Sequence, residues 1–303
     1  MVSTVPAVSA DRDFVAVSYL GVRLDRLRQA QNGDGGWSYF PGKQSWLEPT
    51  FYAALALHGD PAADRAWDLL RSWQRPDGSW RPSADVQIAN WGTSLCVTLA
   101  HIRGEFGEPF RKGVANLLDT SGEESKFVNR AAAKLGILET QRDFSLKAWP
   151  WKPNTSSWVE PTVHALVALK KASAQVSSAD LRERVRIGEA QLMNVRCSSG
   201  GWNYGDPAVL HVELPAYPET TGLALVGLQG HKDLGKSLDL ASRWLKETKS
   251  PLAGAWVTIA LRLHGADVPE SAVTEVSADR MILALEALAA PEGNHHLLKT
   301  EAA

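Results

Sequence analysis

Three glutamates stand two residues ahead of a threonine, each at the head of an apolar run. Glu48 opens Glu48-Pro49-Thr50 before FYAALALHG, and Glu160 opens Glu160-Pro161-Thr162 before VHALVALKKA. Glu219 precedes Thr220-Thr221 and the run GLALVGLQG. A carboxyl group in such a place can serve as a general acid where apolar and aromatic walls keep it protonated, because burial penalises the charged form. The dipole of the helix it starts pulls the other way and favours the carboxylate. A first-turn acid is also an ordinary helix-start residue, and three copies at one register fit that reading as well. Tyr52 and His164 follow their threonines by two residues, where a phenol or an imidazole can relay a proton or accept one.

The aromatic complement points to related chemistry. Twelve tryptophans outnumber the five tyrosines and seven phenylalanines. Trp46, Trp91 and Trp158 precede apolar runs, Trp149, Trp151 and Trp202 lie in the connecting stretches, and Tyr217 heads the run that contains Glu219. An electron-rich ring face holds a migrating cation by roughly 0.5–2 kcal/mol, depending on desolvation. The same rings can be packing residues, since tryptophan is large and mostly buried wherever it occurs. Asp85 and Asp206, in loops before two of the runs, can pair with a cavity acid but also suit turns. His211 and Glu213 supply two metal ligands without a third, and neither Cys96 nor Cys197 belongs to a ligand cluster. His295-His296 reads as part of a solvated tail.

Positioning these residues requires helices. The apolar runs open on Pro, Thr or Glu and carry few charges, which predicts helices buried nearly all round. They begin near 47, 93, 159 and 218, with two more over about 252–264 and 277–289. Between them, residues 13–30, 61–74, 108–118, 179–194 and 233–247 alternate charged and apolar faces and read as outer helices, with a weaker sixth over 266–275. An extra helix is expected over 124–140 and a loop over 147–157. Intervals of 43, 69 and 59 residues between Thr50, Thr93, Thr162 and Thr221 suit an array of about six helical hairpins with insertions. No alternating pattern is long enough for a sheet, so the expected class is all-α. No polar linker divides the chain, so one domain is expected over 1–303, with a core of about 13–289, a short flexible N-terminus and a polar C-terminal tail.

Gln31-Asn32-Gly33-Asp34-Gly35-Gly36-Trp37 and Gln74-Arg75-Pro76-Asp77-Gly78-Ser79-Trp80 each follow an outer segment, with Gly200-Gly201-Trp202 a shortened third case. Asp-Gly supplies a tight turn, and these motifs read first as staples between helices. In them the chain resembles the squalene–hopene cyclase and protein prenyltransferase superfamily, over about residues 30 to 264. The resemblance implies an α/α toroid whose inner helices line a central cavity. It also implies that aligning the family's Asp-x-Asp-Asp-Thr acid box by its threonine places Glu48, Glu160 and Glu219 in the register of the proton donor. The box itself is absent, as are an Asp-rich magnesium box and the Asp-x-Cys of zinc-dependent members, so no metal and no cofactor are expected.

The expected function is a metal-independent, acid-initiated cyclisation or isomerisation of a hydrophobic, isoprenoid-type substrate. Glu48, Glu160, Glu219, His164 and Tyr52 are the acid–base candidates. Trp46, Trp91, Trp158, Trp149, Trp202 and Tyr217 are the substrate-binding ones. A non-catalytic lipid- or peptide-binding toroid and an α/α-barrel carbohydrate-active enzyme are the alternatives. With 32 basic and 34 acidic residues, the formal charge of −2 argues against a nucleic-acid partner. No secretory start or membrane span is read, which makes a reducing cytoplasm the expected compartment. An exposed apolar patch beside the cavity mouth would mark peripheral membrane contact. The pattern leaves oligomeric state open.

Overall fold

A computed structural model describes residues 18–137, 140, 142–209, 211–269 and 275–300. Six inner helices form its centre: α2 (Leu47–Ala56), α4 (Thr93–Ile102), α7 (Val159–Ala172), α9 (Pro218–Gly227), α11 (Pro251–Leu263) and α12 (Arg280–Ala289). Each packs on the next in that order, and α12 returns to α2, closing the ring. The outer helices α1 (Tyr19–Gln29), α3 (Pro61–Ser72), α5 (Glu108–Asp119), α8 (Ala179–Asn194) and α10 (Gly235–Glu247) lie against them. The expected α/α toroid is thus the architecture observed. Every residue of α2 except Glu48 is buried, as an apolar helix held between ring neighbours and an outer layer requires.

The turns show why chain and ring agree. Asp34 and Asp77 each accept the backbone N–H two residues on, at 3.0 Å. Gly78 takes φ +83° with Lys112 O only 2.4 Å from where a Cβ would stand, so this corner admits no side chain. Gln31 donates to Gly35 O and Ala62 O, and Gln74 to Gly78 O and Pro109 O, tying neighbouring outer helices. Trp37, Trp80, Trp149 and Trp202 form one repeated staple. Each indole Nε1 donates to a carbonyl of the preceding outer helix, Leu27, Leu70, Leu117 or Leu192, at 2.6–2.9 Å. Each backbone N–H donates to the threonine hydroxyl of the coming inner helix, Thr50, Thr93, Thr162 or Thr221. The marker threonines therefore set a common register for four inner helices.

Several boundaries depart from expectation. The extra helix expected over 124–140 resolves into a 3-10 turn, Glu123–Ser125, and a short helix α6, Phe127–Lys134. Lys126 between them is extended and Gly136 takes φ +71°, which interrupts the helix at both ends, while 138 and 139 lie outside the described residues. Of the weak outer helix expected over 266–275, residues 266–269 are not helical and 270–274 lie outside the described residues, as do the N-terminal 1–17. A two-residue hairpin, β1 (Ala208–Val209) with β2 (Val212–Glu213), lies where none was expected. The C-terminal segment is docked instead of solvated. Asn294 donates to Leu55 O and Ala56 O, Leu298 is buried, and His295 is half-buried. These carbonyls end α2, and orphan helix-end carbonyls recruit donors.

Candidate active site

Because the staples share one register, the residue two places before each marker threonine occupies the same position at one end of the ring. Those residues are Glu48, Trp91, Glu160 and Glu219, so three glutamates and a tryptophan surround one mouth. A second repeated feature builds its rim. The residue two after each staple tryptophan, Tyr39, Pro82, Trp151 or Tyr204, gives its carbonyl to an N–H at the start of a neighbouring inner helix or, for Trp91, two residues before it. The donors are Arg280, Leu47, Trp91 and Val159, at 2.9–3.1 Å. Each loop thereby caps the helix next to its own, and the side chains of Tyr39 and Tyr204 reach the acids.

Tyr39 donates its phenol to Glu48 Oε2, and Tyr204 donates to Glu219 Oε1 at 2.7 Å. Burial is the main influence on Glu48 and raises its pKa, opposed by hydrogen bonds from Tyr39 and the Trp91 indole. Glu160 is pushed up to about 8, first by burial and then by the charge of Glu48. The two glutamates start helices on either side of α4 and feel each other across the mouth. Burial and the Glu48 charge also raise Tyr39, which keeps its proton at neutral pH. Both acids retain partial accessibility, as a site that must admit a ligand requires.

One helical turn deeper stand Tyr52, four residues after Glu48, and His164, four after Glu160. Tyr52 Oη and His164 Nε2 are 3.1 Å apart. Burial holds His164 down to about 3 and Tyr52 well above the usual phenol range, so both are neutral. Trp256 of α11 packs edge-on against both rings, with centroids 5.7 and 6.0 Å away. Helices α2, α7 and α11 are alternate members of the ring, so these three rings meet across its axis and form a floor beneath the acids. Trp91 covers His164 at 5.1 Å and meets Trp151 edge-on at 5.1 Å. The site is an acid pair over an aromatic floor.

The remaining candidates fall around it. Trp46, Trp158 and Tyr217 occupy the N-cap positions of α2, α7 and α9, with Trp158 and Tyr217 exposed at the rim. Trp149 and Trp202 are buried staples between the helix layers. Trp149 also borders an open groove shared with Trp91 and Trp151, lined by α4, α5 and α7. Asp206 pairs with Arg142 at 3.1 Å, and Glu213 accepts the Ser198 N–H at the hairpin, as turn and surface residues do. Among the described residues no three His, Cys, Asp or Glu side chains converge as a metal site requires. No described helix is long and apolar enough to cross a membrane.

Tyr39, Tyr204 and Trp256 escaped the sequence reading. For the tyrosines a signal existed, because Trp37-Ser38-Tyr39 and Trp202-Asn203-Tyr204 repeat one spacing. Trp256 carries no such marker, since its helix α11 has no staple tryptophan among the described residues.

No protein-family model matches the chain. A segment of 63 residues, 20% of this chain, is 44% identical to drimenyl diphosphate synthase of Streptantibioticus cattleyicolor. Another of 68 residues is 40% identical to drimenyl diphosphate synthase of Streptomyces showdoensis. The matches span only 12% and 13% of those relatives. Among solved structures, the type II terpene cyclase MstE from Scytonema superposes with a TM-score of 0.52 at 19% identity, over 82% of this chain and 74% of that one. Endoglucanase Cel10 of Klebsiella pneumoniae, a family 8 glycosyl hydrolase, superposes at 0.59 and 14% identity, over 88% and 97%. At these identities the superpositions establish the α/α barrel fold, which terpene cyclases and a glycosyl hydrolase both use.

Proposed function

We propose that the chain is a terpenoid-cyclase-like enzyme that protonates a hydrophobic, isoprenoid-type substrate and releases a cyclised or rearranged isomer. The observation that carries this reading is Glu160, a mouth carboxyl held protonated at neutral pH above a floor of aromatic rings. The local identity to drimenyl diphosphate synthases and the fold shared with MstE support it. Glu160 gives its proton to one carbon of an alkene, and the alkene's electron pair forms the new C–H bond. The cation left on the neighbouring carbon is attacked by a second alkene, or rearranges. Trp91, Trp256 and Tyr52 offer it π faces, and the Tyr52 hydroxyl engages the Nε2 of His164. Loss of a proton from an adjacent carbon ends the sequence, so the product has the mass of the substrate. Glu48, tied to Tyr39 and the Trp91 indole, accepts that proton and supplies the charge that helps hold Glu160 protonated. No metal ion takes part in these steps.

Incubating the purified chain with squalene, oxidosqualene and linear polyprenyl diphosphates, with a chelator present, tests the reading by separation of same-mass isomers. A new isomer that disappears with Glu160→Gln is expected. Turnover unchanged in Glu160→Gln and Glu48→Gln removes the assigned roles. A second reading rests on Cel10, nearly all of whose chain the barrel covers, and on the presence of two acids. Glycoside hydrolysis needs one ionised and one protonated carboxyl flanking an open, water-filled cleft. Release of reducing sugar from soluble glucans, with no isomer from any prenyl substrate, would establish it.

A further inference from the structure

We propose that the groove bordered by Trp91 is a second apolar subsite, which takes the hydrocarbon part of the ligand that the acid pair does not hold. The proposal rests on the reading above, that the acids act on a hydrophobic, isoprenoid-type molecule, and adds where the rest of that molecule lies. The closed floor calls for such a place. Tyr52, His164 and Trp256 are only 1–3% exposed, so nothing passes further down the ring. They lie one helical turn below the acids, about 6 Å at 1.5 Å per residue, which leaves room for the reacting alkene and little more.

The ring wall is interrupted beside that floor. Helices α2, α7 and α9 start three residues before their marker threonines, at Leu47, Val159 and Pro218, whereas α4 starts on Thr93 itself. Where its neighbours have a first helical turn, α4 has the tight turn 90–92, in which Asn90 Oδ1 accepts the Gly92 N–H at 2.7 Å. Trp91 stands in this gap, at the register position that holds a glutamate in the other three. Its indole bonds Glu48, its ring lies over His164 with centroids 5.1 Å apart, and it also lines the groove. Helix α7 is shared in the same way. Glu160 and His164 belong to the acid site, and the residues that follow them, Pro161 and Ala165, line the groove, because successive helical residues point about 100° apart. The two sites therefore have Trp91 as a common wall.

The lining says what the groove takes. Trp149, Pro150 and Trp151 complete its apolar surface. Trp149 is held rigid, its Nε1 donating to Leu117 O at 2.8 Å and its ring covered by the Arg184 guanidinium at 3.8 Å. Thr93, Ser94, Asn116 and Thr120, which also line it, spend their side-chain donors on the carbonyls of Asn90, Trp91, Asp77 and Asn116 at 2.7–3.3 Å. A sugar or a charged group would need those donors free, whereas a hydrocarbon needs only contact. The space is about 120 Å³. An apolar cavity of about 150 Å³ binds benzene, so the groove suits roughly one isoprene unit.

Binding of farnesol to the full purified chain tests the proposal without any need for turnover. In protein labelled with nitrogen-15 tryptophan, farnesol should shift the Trp151 indole resonance, assigned through Trp151→Phe. Ala89→Phe and Thr120→Phe each place a ring in the groove from its half-exposed edge. Each should lower the preference for farnesol over the five-carbon alcohol prenol by about tenfold or more, since two methylenes kept out of an apolar site cost that much. Thermal unfolding recorded alongside shows that each variant folds. Farnesol that does not bind overturns the proposal. So does binding that leaves Trp151 unmoved, or a preference unchanged in both variants, either of which puts the chain on the exposed rim formed by Trp158, Tyr204 and Tyr217. Groove binding with no isomer formed from any prenyl substrate would support the subsite while removing the catalytic reading, and a new isomer with unchanged preference would do the reverse.

Discussion

Replacing Glu160 by glutamine should change how the protein's stability depends on pH. Glu160 titrates near 8 in the folded chain against 4.5 for an ordinary glutamate. The folded state therefore holds a proton that the unfolded state has lost between those values, and stability falls as pH rises through that window. The difference of 3.5 units corresponds to about 5 kcal/mol at full effect, since one unit is about 1.4 kcal/mol. Partial accessibility at the mouth and screening by salt reduce this to roughly 2–3 kcal/mol. For a chain of 303 residues that amounts to roughly 4 °C in melting temperature. Wild type and Glu160→Gln should melt alike near pH 4, where the carboxyl is protonated in both states, and the variant should be the more stable at pH 9. Scanning calorimetry across that range reads the difference directly. If the two curves run parallel, Glu160 is ionised in the folded state and cannot be the proton donor. Turnover by the wild type should follow the same titration, with about 90% of the acid form present at pH 7 and about 10% at pH 9.

Tyr39→Phe should raise the Glu48 carboxyl further, because the phenol's hydrogen bond opposes the effect of burial there; a carbon-13 titration of labelled glutamate that left Glu48 unmoved would break the link. Gly78→Ala should cost more than about 1 kcal/mol by denaturant unfolding, since φ is +83° and Lys112 O blocks the Cβ, whereas Gly33→Ala, with open space around it, should cost less. Arg23→Met leaves Glu286 buried without the guanidinium 3.1 Å away and should cost ~3–5 kcal/mol, with Glu286→Leu added to it restoring much of that loss.

The ring was legible because its repeat is written twice, once in the apolar runs and once in the Gln, Asp-Gly and Trp turns. The threonines used to align the runs are the hydroxyls that accept each staple N–H, so the alignment rested on a physical contact. The acids followed from that register. What stayed hidden depends on neighbours that sequence order does not bring together. Tyr52 and His164 lie 112 residues apart and meet only because α2 and α7, alternate members of the ring, turn these side chains toward its axis. Trp149 and Trp202 read as ligand-facing from their loops, yet their indole N–H groups are held by Leu117 and Leu192. The split of the extra helix turns on Lys126, whose extended backbone no propensity marks.

Register equivalence does not make the three glutamates chemically equivalent. Each stands at a helix start where the backbone dipole favours the carboxylate, so the dipole cannot distinguish them. What differs is the layer beneath and the ring beside. Glu160 has no phenol bonded to it, sits one turn above buried His164, and feels Glu48 across the mouth, so burial wins and the proton stays on. Glu48 faces the same burial but is held by Tyr39 and Trp91, whose N–H and O–H groups stabilise its charge. Glu219 has Leu223 one turn below it and an exposed tyrosine as partner, which places it at the rim. One repeated position thereby holds two buried carboxyl groups that differ in their hydrogen-bond donors. Exchanging the neighbours should exchange the roles: Tyr39→Phe with Trp91→Phe removes both donors from Glu48 and should bring its titration toward that of Glu160. A Glu48 titration unchanged in that double variant would show that burial alone sets the pair.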